Sequence, residues 1–122
     1  MDEKIRILIE RKNEFKRAIE ISQKNKENLT KFIQGLLSKY NSGRISKEEY
    51  YKESTNVLGK RTSEQWIKYY DNYINYCDSQ IRLCNRLIRE RSSKNLKVKI
   101  NLLLKIFIVL ILLIIIFLLV FI

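Results

Sequence analysis

Residues Leu102–Ile122 read LLLKIFIVLILLIIIFLLVFI, and from Ile106 onward every residue is Ile, Leu, Val or Phe. At 1.5 Å of rise per residue this stretch makes a helix of roughly 31 Å, which matches a hydrocarbon core of about 30 Å. No Gly, Pro or polar residue interrupts it beyond Lys105. A helix that is apolar on every side needs cover on every side. A chain of 122 residues cannot bury it in a globular core. The stretch is therefore expected to span a membrane. Its place at the C-terminal end is wrong for a signal peptide. The residues before it, Arg91-Ser92-Ser93-Lys94-Asn95-Leu96-Lys97, are basic rather than small and neutral, which argues against a GPI signal.

Charge is distributed as unevenly as hydrophobicity. The chain holds 24 Lys+Arg against 13 Asp+Glu, a net charge of +11. Up to Ser79 the balance is 16 basic to 12 acidic; from Gln80 onward it is 8 to one, Glu90. Arg89, Arg91, Lys94, Lys97, Lys99 and Lys105 form a basic collar at one end of the apolar run, and no charge follows the other end. The positive-inside rule then puts the N-terminal side in the cytoplasm and the C-terminus at the far face. Lys105 can snorkel toward the collar side, and the collar should attract anionic lipid headgroups.

The first 40 residues read as one helix from Asp2 to about Tyr40, with no Pro and Gly35 as the only glycine. Ile5, Leu8, Lys12, Phe15, Ile19, Ser22, Lys26, Leu29, Ile33, Leu36 and Tyr40 alternate by three and four, a coiled-coil-like heptad seam with polar residues in its middle. Asn41-Ser42-Gly43-Arg44 is a turn. Ser46-Lys47-Glu48-Glu49 is a capping box that opens a short helix, about Lys47 to Leu58, which Gly59 stops. A second box, Thr62-Ser63-Glu64-Gln65, opens a helix from about Ser63 to Arg91. Its stripe is Trp66, Tyr70, Tyr73, Cys77, Gln80, Cys84 and Leu87, widened by Ile67, Ile74, Ile81 and Ile88. Ser92-Ser93-Lys94-Asn95 is the expected break before the anchor.

The expected fold is all-α: an antiparallel helical hairpin, or three-helix domain of long, short and long helices, followed by one C-terminal transmembrane helix. The expected divisions are a cytoplasmic domain over residues 1–91, a basic juxtamembrane linker over 92–101 and the membrane helix over 102–122.

The residues argue against an enzyme. There is no His, no Gly-rich phosphate loop, no metal-ligand cluster and no Ser or Cys beside a base, so no cofactor, metal or small-molecule substrate is expected. Glu48 and Glu49 lie in a helix's first turn, where cap and dipole account for them. Cys77 and Cys84 stand about 10 Å apart along one helix, too far for a mutual disulfide, and read as small packing residues. A cross-chain disulfide is the alternative. Trp66, Tyr69, Tyr70, Tyr73 and Tyr76 place five aromatics within eleven residues and on more than one helical face. Some must pack in the hairpin, and others form a candidate surface for a protein partner or a second copy, since Trp and Tyr anchor such contacts. Nucleic-acid binding is disfavoured, because the positive charge is concentrated where lipid explains it.

Three resemblances can be named. Gly43-Arg44-Ile45-Ser46-Lys47-Glu48-Glu49-Tyr50 resembles SHOCT-type short helical segments, which would imply an oligomerisation or attachment element. Gly59-Lys60-Arg61-Thr62, with Glu64, Trp66, Tyr69 and Tyr70, is similar to segments of uncharacterised archaeal-type single-pass membrane proteins, some of which continue into an outer domain. Helix-then-anchor order is similar to tail-anchored SNARE proteins, with Gln80 on a seam layer. Gly59 and the second capping box interrupt the long helix that such proteins need, so that reading is not adopted.

The functional expectation is a tail-anchored scaffold or protein-interaction module with a lipid-binding basic collar, inserted after translation by a targeting factor. The alternatives are a small membrane-permeabilising, holin-like protein and an accessory subunit of a membrane complex.

Overall fold

The computed structural model describes all 122 residues, Met1–Ile122. The chain is all helical: α1 spans Glu3–Asn41, α2 Lys47–Leu58 and α3 Ser63–Phe121.

Each start is built by the side chain before it. Asp2 caps α1 by accepting from the Lys4 amide at 2.9 Å. Ser46 caps α2 by accepting from the Glu49 amide at 3.1 Å. At α3 the capping box is reciprocal: Thr62 accepts from the Gln65 amide at 3.1 Å, while the Gln65 side chain accepts from the Thr62 amide at 3.0 Å. Gly43 and Gly59 supply the two positive φ values, 74° and 65°, at which the chain leaves α1 and α2.

α1 and α3 run antiparallel. Asp2 meets Arg91 and Asn95 at one end, Phe15 meets the Tyr76 ring in the middle, and Lys26 meets Asp71 toward the other end. The Lys26–Asp71 and Asp2–Asn95 bonds agree on one register: residue n of α1 lies level with about residue 97 − n of α3. α2 packs against the far end of α1, with the Tyr40 and Tyr50 rings 5.4 Å apart.

The α1 seam faces inward. Ser22 and Leu36 are buried, and of the remaining heptad positions only Tyr40 is exposed. Lys12, Ser22 and Lys26 therefore sit at the contact. Ser22 is small enough to be enclosed there, and Lys26 answers Asp71 at 2.7 Å. The α3 seam differs from its sequence reading. Ile67, Tyr70, Ile74, Cys77, Ile81, Cys84 and Ile88 line it, continued by Arg91 and Asn95, while Tyr73 and Leu87 are 39% and 36% exposed. The isoleucines expected to widen the stripe are its centre. Two adjacent apolar heptads overlap on α3, and only the position of α1 decides between them. Cys77 and Cys84, both free, are the most deeply buried residues of α3.

A second correction concerns the linker over 92–101. There is no break at Ser92–Asn95; α3 continues without interruption into the apolar run. Ser and Asn cost only about 0.5 kcal/mol each in a helix, no Gly or Pro intervenes, and Asn95 is held by its bond to Asp2. The result is a 59-residue helix roughly 88 Å long, of which the last third is one segment long and apolar enough to cross a membrane. Its most apolar 18 residues average 3.5 in hydropathy, and none of that stretch is buried.

Candidate membrane collar and aromatic surface

Helical continuity through residues 92–101 arranges the basic collar. At about 100° per residue, Arg89, Lys94, Lys97, Lys99 and Lys105 point to different sides of α3 and surround it. All five are exposed and none makes an ion pair.

Arg91 stands apart from the other five. It lies on the inner seam, half-buried, and its Nε donates to Asp2 Oδ2 at 2.9 Å. The same oxygen accepts from Asn95 Nδ2 at 2.8 Å, while Asp2 Oδ1 caps α1. Hydrogen bonds from Asn95 and Arg91 hold the Asp2 carboxyl well below the usual carboxylate range, against the opposing effect of desolvation. Arg91 thus joins the start of α1 to α3, with its Nε engaged by Asp2. Nothing local in the sequence marks the pairing, which links residues 89 apart. The signal available was a charged residue falling on the α3 heptad.

The five aromatics divide by direction. Trp66 and Tyr70 turn toward α1 and α2. With Asn28, Leu29, Phe32 and Val57 they line a groove of about 460 Å³. Trp66 Nε1 donates to the Leu58 carbonyl at 2.7 Å, which ties the end of α2 to the start of α3. Arg61, not among the candidate site residues, lies over the Trp66 and Tyr69 rings at 4.8 and 5.3 Å. Tyr69, Tyr73 and Tyr76 point outward, at 49, 39 and 53% exposure, along one edge of the hairpin. The Tyr73 and Tyr76 rings stack at 6.4 Å, and Tyr76 meets Phe15 edge-on at 6.3 Å. The Cys77 thiol, then desolvation, and then Tyr69 and Tyr76 push the Tyr73 phenol up.

No group of three or more His, Cys, Asp or Glu side chains gathers as metal ligands would. Compared with protein-family models, with curated proteins and with solved structures, the chain matches none of them.

Proposed function

We propose that this protein is a single-pass, membrane-anchored scaffold. On this reading the first 91 residues form a three-helix hairpin domain of long, short and long helices. The domain stands off the membrane on α3 and presents an aromatic edge to a protein partner. The observation that carries the reading is the continuity of α3. The helix that contributes Tyr69, Tyr73 and Tyr76 runs on unbroken as the apolar segment, so the aromatic edge and the anchor are one rigid element.

The collar supports the same reading. Five exposed cations around the last turns before Ile106 suit a ring of anionic headgroups, and their place on the N-terminal side of the apolar segment favours a cytoplasmic location for that side. The apolar segment offers no polar side chain to line a path for ions, which favours anchoring over permeation.

The test is alkaline-carbonate extraction of membranes containing the full chain with an N-terminal tag, followed by protease treatment of sealed vesicles. An integral anchor keeps the chain in the pellet, and a cytoplasmic domain leaves the tag open to protease from that side only. Release of the chain by carbonate would sink the proposal. Dye retained in vesicles carrying the protein supports scaffolding, whereas leakage would favour a permeabilising role.

A further inference from the structure

The hairpin has two unlike sides. One residue back from each inner-seam position turns about 100° around the helix axis. Because α1 and α3 run in opposite directions, that step leads both helices to the same side. Trp66 and Phe32, one step back on α3 and α1, line one groove together; Glu27 and Asp71, one step forward, line another on the opposite side. The forward side is polar, with Asp71, Asp78, Arg82 and Arg89 on α3. The backward side carries a second, apolar heptad on α3: Tyr69, Tyr73, Tyr76, Gln80, Leu83 and Leu87. On α1 it carries Ile7, Ala18 and Ile21, with Ile7 and Ile21 at 41% and 60% exposure and the charged Arg11 and Glu14 between Ile7 and Ala18. α2 reaches only the distal end of this side, where Val57 joins the groove. From Ile21 down to Ile7 nothing covers it.

The geometry points to this side as the contact between two copies of the chain, which stand parallel and close a four-helix bundle about a two-fold axis along the hairpin. The inference rests on the membrane-anchored reading, because one apolar segment per chain orients two copies alike and confines them to a plane. A two-fold axis along the hairpin lays α1 of one copy over α3 of the other, in the register already present within each chain. Ile21 then falls level with Tyr76 of the second copy, and Ala18 with Gln80. Charge matches as well. Glu90, the one acid on the apolar strip of α3, falls between the levels of Lys4 and Arg11. A two-helix hairpin with one bare apolar side is half of such a bundle.

Disulfide trapping of full chains co-expressed in one membrane tests the pairing. Ile21→Cys and Tyr76→Cys are placed on separate chains, at exposed positions; Tyr76→Cys gives up the edge contact with Phe15, so its helical circular dichroism is compared with wild type. The native thiols are buried at 0% and 4% exposure, and wild-type chain serves as their control. Mild oxidation should give a covalent dimer from the mixture and none from either variant alone. The opposite-side pair Glu20→Cys with Asp78→Cys should give none. Tyr76→Arg should convert the uncross-linked protein to a monomer in nanodiscs, with its helical circular dichroism retained. A monomeric wild type, or trapping through Glu20 and Asp78, overturns the pairing. Carbonate extraction of the same membranes reads the anchor separately. Monomer retained by the membrane defeats the pairing alone, and chain released by carbonate defeats the pairing and the anchor together.

Discussion

Asp2 and Arg91 are joined by a 2.9 Å charge-assisted hydrogen bond that closes the hairpin at the end next to the apolar segment. Arg91 is eleven residues, or roughly 16 Å, before Leu102, where the apolar run begins. The start of α1 is thereby fastened close to the collar, and the turn between α1 and α2 lies at the far end. One carboxylate caps its own helix and accepts from two side chains of another, so its removal uncouples the hairpin end while leaving the Lys26–Asp71 contact in place.

Asp2→Ala is expected to loosen the first turns of α1 and little else. Hydrogen exchange should be roughly three- to tenfold faster at amides near Arg6, the size of effect that follows loss of a helix cap. Amides around Ser22 and Cys77 should be unchanged. A uniform increase along both helices would show that the closure supports the whole hairpin.

The same carboxyl sets a pH dependence. Its folded-state pKa is depressed by Asn95 and Arg91, so its stabilisation is fully present above the unfolded value of about 3.9 and is lost as pH falls through the depressed folded value. Protection at the start of α1, the exchange rate taken relative to the intrinsic rate at each pH, should not respond to this group between pH 7 and 5 and should fall below about pH 4. Asp2→Asn should remove that acid response.

Trp66 is half-buried, so Trp66→Ala should cost about 2–3 kcal/mol, below the 3–5 kcal/mol of a fully buried aromatic. Trp66→Phe keeps most of the packing and removes the bond to the Leu58 carbonyl, for about 1 kcal/mol. Urea unfolding followed by far-ultraviolet circular dichroism separates the two. Equal losses would mean that the hydrogen bond, not the ring, secures α2 to α3.

Gly59 leaves α2 at φ 65° and ψ −132°, a conformation open to glycine alone. Its Cβ-bearing replacement would meet no neighbour, so the cost of Gly59→Ala is backbone strain, about 1–3 kcal/mol by the same urea measurement. A neutral result would show that the turn relaxes to another path.

Lys94, Lys97 and Lys99 are exposed and unpaired, and each should contribute about 1 kcal/mol of attraction to an anionic surface. Changing all three to Glu should invert or abolish orderly insertion, read by protease protection of an N-terminal tag. Arg91→Gln should leave insertion intact and loosen α1 instead, because its charge is spent on Asp2. Unchanged topology in the triple variant would remove the collar as its determinant.

Much of the local structure was legible in sequence because its causes are local. Capping residues, the two turn glycines and heptad spacing act within a few residues, and they locate α2 at Lys47–Leu58 and the starts of α1 and α3 closely. The apolar run is legible for the same reason: helix length and hydropathy are properties of a contiguous segment. The tertiary structure decided what depends on residues far apart. It chose between two overlapping apolar heptads on α3, placing Ile74 and Ile81 inside and leaving Tyr73 and Tyr76 out, because only the position of α1 distinguishes them. It paired Arg91 with Asp2, 89 residues away in sequence, a partner that no local pattern names. It also carried α3 straight through Ser92–Asn95, where weak local preference for a break yields to an unbroken hydrogen-bond ladder and a side chain held from α1.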